Sequence, residues 1–194
     1  HFRLNPDGIY SHFSTASNRV FSQKQIRTFG DMVQEVKRAG ISLGILHMNK
    51  TEGIMEYPKS VFDMVRLGIG LYGYYPEKRV RLKPVLTWKT IVSEVKRVEK
   101  GESVSYDRTE RLERSTKIAI LPVGYWHGFD RGLSSKGEVL IRGKRARVLG
   151  RVTMDMTMVD VTGIPNVGIR DEVVIIGTQG RRRISADDVA DKIN

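Results

Sequence analysis

Phe62–Pro76 reads FDMVRLGIGLYGYYP, a single arginine set directly before an apolar run punctuated by glycines. Its segment Val65–Tyr72 predicts a buried strand that runs into a ligand loop, and this strand decides how the segments before it assemble. Arg66 cannot shed its charge, so covering it requires a carboxylate, a phosphate or another strong acceptor. Two readings stand on spacing alone. Either a bound small molecule supplies the acceptor, or Arg66 pairs with Asp63 at a strand edge.

Upstream, Ile9–Phe13 (IYSHF) is short, aromatic and β-branched, and predicts a strand with His12 near its end. From Ser17 the pattern turns helical, with Val20, Ile26, Phe29, Val33 and Val36 on one face and Gly40 as terminator. Ile41–His47 (ISLGILH) predicts a second buried strand and Glu52–Tyr57 a short helical piece. Strand, helix, strand, short helix, strand is the rhythm of βαβ units on a parallel sheet. Downstream of Pro76 the texture changes to closely spaced β segments: Thr87–Val98, Lys117–Leu121, Glu138–Ile141, Ala146–Val152, Met156–Asp160 and Glu172–Ile176. These predict an antiparallel barrel or sandwich, followed by a helix from Ser185 with Asp188 as its capping-box partner. The domain boundary is expected near Lys78–Lys83, giving an α/β domain over 1–80 and a β-rich domain over 81–194.

Composition narrows the function classes. Among 194 residues, 40% are hydrophobic and 28% charged, as in a soluble globular chain. No apolar run approaches the roughly 20 residues that span a bilayer, and the opening HFRLNPDGIYSHF lacks a signal-peptide pattern, so a cytoplasmic protein without membrane association is expected. The net charge of +11 would attract nucleic acid if it clustered with aromatics, but the densest runs, RGKRAR at 142–147 and RRR at 181–183, carry none. A solvated basic face is the expectation for both. Zero cysteines and four scattered histidines leave no metal set and no thiolate nucleophile.

In parallel βα folds the ligand groups gather at the C-terminal ends of strands. His12, the turn His47–Thr51 and the turn Arg66–Ile69 are therefore candidates for one rim. His12 taken alone also reads as a satisfied core histidine, and Gly68 as an ordinary turn residue. The β-rich half carries three polar-aromatic clusters at strand ends: VSYD at 104–107, PVGYWHG at 122–128 and GRVTMD at 150–155. Within the last, Arg151 and Asp155 read as a salt bridge. A tyrosine such as Tyr106 becomes a base near neutrality only when a cation lowers its pKa from about 10.

Taken in order, GIYSHFSTAS (8–17), LHMNKTEGI (46–54), FDMVRLGIGLYGYYP (62–76), VSYDRT (104–109), LPVGYWHGFDRGLS (121–134), GEVLIRG (137–143), GRVTMDMTMVDVT (150–162) and DEVVIIG (171–177) resemble the fold-type III alanine racemases, enzymes that use pyridoxal 5′-phosphate. The resemblance implies the last βα units of a TIM (β/α)8 barrel followed by a C-terminal β domain. It implies interconversion of L- and D-alanine for peptidoglycan by proton exchange between two bases, in a homodimer whose active sites are composite. Arg66 matches the arginine on the cofactor's pyridine nitrogen, and His12 the histidine that links it toward the catalytic tyrosine. Thr51, Gly68 and Ile69 match the phosphate contacts. Tyr106 matches the base on one face of the substrate, Met154 and Tyr125 the substrate contacts, and Arg131, Arg151 and Asp155 the entryway.

Several positions depart from that pattern. The family's Schiff-base lysine belongs to the first barrel strand, which these 194 residues do not include, so this portion alone is expected to be inactive. Lys50 stands for the usual asparagine, Leu67 for proline and Asp107 for glycine; Lys50, beside the phosphate hydroxyl, is badly placed to replace the missing lysine. The alternatives are a related racemase for another small amino acid such as serine, and a non-catalytic basic binding domain.

Overall fold

The computed structural model describes residues 6–75 and 80–193. Two compact units make up the chain, His1–Val85 and Leu86–Asn194. Pro76, Lys78 and Arg79, on which parts of the sequence reading fall, lie outside the described residues.

In the first unit, β1 (Gly8–Tyr10) and β2 (Ile45–His47) pair in parallel, Tyr10 opposite His47, with helix α1 (Arg19–Arg38) between them in sequence. Asn18 starts α1 by accepting the Phe21 N–H at 3.0 Å, and Lys37 and Arg38 meet the negative end of its dipole. Ile26, Phe29, Val33 and Val36 face a core of Phe13, Leu43, Leu46 and Met48. Val20 does not join them; six residues before Ile26, it sits roughly 120° around the helix, and it is exposed. Helix α2 (Thr51–Glu56) and a 3-10 turn at Pro58–Ser60 follow.

The buried strand expected over Val65–Tyr72 does not form. Pairing with β2 is confined to the residues just before it, where the Asp63 and Met64 N–H groups donate to the Leu46 carbonyl and Met64 bridges His47 in parallel, and within it the Arg66 N–H bonds the Asn49 carbonyl at 2.9 Å. Beyond it the donors are diverted. The Gly68 and Gly70 amides point at the Thr51 hydroxyl at 3.1 and 3.2 Å, and Ile69–Tyr72 closes into a 3-10 turn with Leu67, Ile69, Leu71 and Tyr72 exposed.

The second unit is β-rich, as expected. Its strands are β3 (Trp88–Ile91), β4 (Glu94–Val98), β5 (Ser103–Val104), β6 (Glu110–Arg111), β7 (Thr116–Leu121), β8 (Glu138–Ile141), β9 (Lys144–Leu149), β10 (Thr157–Asp160), β11 (Glu172–Gln179) and β12 (Arg182–Ile184). The helix α3 (Ala186–Ile193) ends the unit. Antiparallel pairing runs β3–β11–β8–β9–β10–β7–β4, and β12 extends β11. The run Thr87–Val98, read as one segment, is bent: the Val92 N–H bonds the Asp171 carbonyl and the Ser93 N–H the Ile120 carbonyl, both at 2.9 Å. Because β3 and β4 are the two halves of that run, the sheet closes on itself as a barrel.

Alternation sorts the side chains. Ala119, Leu121, Val139, Ile141, Val148, Val159, Val173 and Ile175 fill the interior around Val92 and Phe129. Leu140, Val174 and Ile184 point the other way but are buried as well, in a cluster against Val189 of α3. The helix is held by a reciprocal capping box, Asp188 Oδ2 accepting the Ser185 N–H at 2.7 Å and Ser185 Oγ accepting the Asp188 N–H at 3.0 Å. Of the basic runs, Arg142 pairs with Asp171, Arg145 with Glu138 and Arg147 with Glu110, each at a partly exposed surface, while Arg181, Arg182 and Arg183 are exposed.

Candidate functional site

Arg66 anchors the polar cluster of the first unit. Its Nη1 contacts His47 Nδ1, and its Nη2 reaches His12 Nδ1 at 2.8 Å and donates to the Ser11 carbonyl at 2.9 Å. The guanidinium also lies over the Tyr10 ring, 5.2 Å from its centroid, and Tyr10 stacks on His47. None of these partners is a carboxylate. Asp63, the alternative partner, instead accepts the Leu46 N–H at 2.8 Å, and among the described residues Arg66 makes no ion pair. His12 is exposed, so it is not a core histidine; two residues beyond β1, it is brought to Arg66 by the same turn that buries Phe13. His47 belongs to the rim expected from the sequence, but its direct contact with Arg66 was not part of that reading. Its signal was a histidine closing an apolar strand: it ends β2 opposite Tyr10, while His12 lies two residues past the end of β1.

Thr51, 3% exposed, holds the neighbouring corner. Its oxygen accepts two glycine amides, which leaves the hydroxyl proton to be donated. The loop packs so closely that a Cβ at Gly70 would lie 2.6 Å from Thr51 Cγ2. Gly68 thus spends its amide on Thr51, and Ile69 opens the 3-10 turn with an exposed side chain. Asn49, two residues before Thr51 and the acceptor of the Arg66 N–H, is fully buried, and its Nδ2 has no partner among the described residues. Lys50 Nζ is engaged by Glu52 at 2.8 Å.

The second unit gathers its candidates around a cleft of about 200 Å³ lined by Tyr106, Asp107, Tyr125, Arg131, Arg151, Val152 and Thr153. Tyr106 follows β5 in a strained turn: Ser105, Asp107 and Arg108 have φ of 69°, 58° and 53°. Positive φ at three non-glycine residues around one exposed tyrosine requires tight local restraint. One restraint is the Ser105 hydroxyl, which donates to the Arg151 carbonyl at 2.6 Å; another is the ion pair of Arg151 with Asp107 at 3.1 Å. That pair replaces the Arg151–Asp155 bridge read from the sequence. Asp155 is exposed in the turn Thr153–Met156, which closes on itself through the Thr153 hydroxyl.

Tyr125 is placed by that same turn. Its N–H donates to the Thr153 carbonyl at 3.0 Å, and the Trp126 N–H to the Met154 carbonyl at 3.1 Å. Only glycine fits at 124, where a Cβ would stand 2.2 Å from the Thr153 oxygen. Met154 therefore meets the cluster through its backbone carbonyl, its side chain being exposed. Arg131 lies over the Tyr125 ring, 5.5 Å from its centroid, and Ser134 Oγ ties the Arg131 carbonyl to the Val152 N–H. Of the predicted residues, the structure brings Tyr106, Tyr125, Arg131 and Arg151 to one cleft; Met154 and Asp155 lie in the turn beside it.

Comparison with known proteins identifies the kin of both units. Residues 1–76 match the alanine racemase N-terminal domain and residues 85–194 the alanine racemase C-terminal domain. Alanine racemase 1 of Clostridium acetobutylicum is 42% identical over 194 residues, and the alanine racemase of Halothermothrix orenii 43% over 192. The alignments cover 96% of this chain and 50% and 51% of those proteins, so the chain spans about half the length of the curated relatives it matches. The crystal structure of alanine racemase from Bacillus anthracis with bound L-Ala-P superposes with a TM-score of 0.87 at 34% identity, covering 96% of this chain and 50% of that one. The alanine racemase of Bartonella henselae with covalently bound pyridoxal phosphate gives a TM-score of 0.81 at 26% identity, covering 98% and 51%.

Fold and neighbours together define a protein built from part of a (β/α) barrel and an antiparallel β domain. Within that class, the chain belongs to the alanine racemase family.

Proposed function

We propose that the intact protein of which these residues form part interconverts L- and D-alanine with pyridoxal 5′-phosphate, as a homodimer with composite sites, supplying D-alanine for cell-wall synthesis in the cytoplasm. The observation that carries this reading is Arg66: a permanently charged fork held by two imidazoles and a carbonyl, with no carboxylate to quench it among the described residues. Such a donor suits an unprotonated pyridine nitrogen, which a carboxylate partner would not. The donor set fits the cofactor's other end too, since Thr51 retains a hydroxyl proton for a phosphate oxygen, Asn49 has a buried amide without a partner, and Gly68 and Ile69 frame the loop.

Bound there, pyridoxal phosphate supplies an electron sink for a deprotonated α-carbon. In this reading residues 1–80 are the barrel part that holds it, His12 and His47 keep Arg66 in place, and residues 81–194 present the acid–base group. Tyr106 Oη takes or returns the α-proton on one face. Tyr125 and the Met154 backbone orient the substrate, while Arg131, Arg151 and Asp155 form the approach. The strained, doubly restrained turn around Tyr106 supports this role, because a proton-transfer group must be held within hydrogen-bond reach of one atom.

The test is isotope exchange at the α-carbon in the intact protein. Tyr106→Phe should slow exchange from one enantiomer by about 10²–10⁴-fold while the visible absorbance of bound cofactor persists. Equal, unchanged exchange from both enantiomers would refute the assignment. Parallel assays with serine decide whether alanine is the preferred substrate.

A further inference from the structure

Asp107 occupies an unfavourable backbone position beside the reactive tyrosine, at φ 58° and ψ 11°. Its carboxylate reaches Arg151 Nη2 at 3.1 Å, with both side chains partly exposed. A pair that open adds little to stability, so its consequence lies in where the charges stand. On one side of Tyr106 in sequence, Ser105 holds the Arg151 carbonyl; on the other, Asp107 holds the Arg151 guanidinium. Tyr106 is thus bracketed by two contacts to a single residue. Two guanidinium groups line the cleft, those of Arg131 and Arg151, and Asp107 is the carboxylate that lines it with them. Arg131 rests on the Tyr125 ring and makes no ion pair among the described residues.

We propose that Asp107 is a positioning and specificity-determining residue of the cleft: by committing Arg151, it leaves Arg131 as the cation that meets an incoming small carboxylate, and it limits how tightly the cleft holds anions beside Tyr106. This rests on the reading of the cleft as the approach for an amino-acid substrate. With the carboxylate removed, Arg151 would turn to the anion, and the cleft would carry two uncommitted positive charges where it now carries one.

The probe is acetate, and the reporter is phenylglyoxal modification of arginine in the intact protein, resolved residue by residue by peptide mass spectrometry. Asparagine tolerates the same backbone conformation, so Asp107→Asn keeps the turn while deleting the charge. Its Arg151 should react faster than in the wild type, and acetate should protect Arg131 and Arg151 at about fivefold lower concentration. Asp107→Glu should restore the wild-type pattern in part, and 0.5 M salt should erase the difference. For alanine turnover, Asp107→Asn should change KM with kcat held within about twofold. Unchanged Arg151 reactivity and unchanged acetate protection would overturn the proposal, as would a fall in kcat at constant KM. If the protection changes as expected but the intact protein racemises no amino acid, the inference about the cleft stands and the functional reading falls.

Discussion

At Arg66 a side chain with five donors in a rigid plane meets two imidazoles and a carbonyl at once. Lysine cannot reproduce that fork. On the proposed function, Arg66→Lys in the intact protein should weaken pyridoxal phosphate binding by at least about tenfold, because it removes a charge-assisted contact and loosens His12 and His47 together; equilibrium dialysis against free cofactor measures it. Gly124→Ala should act on the other cluster. Its new methyl would meet the Thr153 and Met154 carbonyl oxygens at 2.2 and 2.4 Å, contacts that only a backbone shift relieves. A loss of about 2–3 kcal/mol in a urea melt is expected, with Tyr125 displaced from the cleft. Much of this was legible in the chain, since Arg66 and the three polar-aromatic clusters stood out by residue type. The resemblance named His12 as a neighbour of Arg66; that Arg66 also takes His47 and the Ser11 carbonyl, and that Arg151 pairs with Asp107 rather than Asp155, were not legible, because these choices are made by residues distant in sequence.

Secondary-structure elements divide the same way. Helix α1 and the strands of the second unit follow their periodicity, since burial on one face is written in every second or every third and fourth residue. The segment Val65–Tyr72 fails because its apolar, glycine-rich composition suits a strand, while the Thr51 hydroxyl, 17 and 19 positions away, captures the amides a ladder needs. The hairpin β5–β6 escaped notice because two residues a side carry no period. The basic run Arg181–Arg183, read as a solvated face, overlaps the strand β12: its arginines are exposed while Ile184 is buried under α3. The capping box of α3 gives an element-scale test. Ser185→Ala removes the acceptor for the Asp188 N–H and should cost about 1 kcal/mol, seen in denaturant midpoints, while leaving the barrel interior intact.

For the whole molecule, the charge network sets the acid limit. Burial pushes the Glu110 carboxyl up, but hydrogen bonds and attraction from Arg147 outweigh it and hold it below the ordinary glutamate value of 4.5. Glu138 behaves alike, burial being outweighed by Lys192 and Arg145, as does Asp160, where Thr162 and Arg114 prevail. Between the lowered folded values and the ordinary ones, the unfolded chain binds more protons, so stability rises with pH. The contribution is complete above about 4.5 and disappears as pH falls through the folded values. Thermal melts from pH 6 to pH 3 should show a falling midpoint, and Glu110→Gln should lower the midpoint at pH 6 while flattening that fall. The bent run that makes both β3 and β4 has a consequence in time. Lys89 and Glu172, joined across β3 and β11, stand 83 positions apart, so during synthesis β3 waits for a partner made long after it. Until then its edge is open, and closure, with its large loop-entropy cost, is expected to be the slow and aggregation-exposed step of folding.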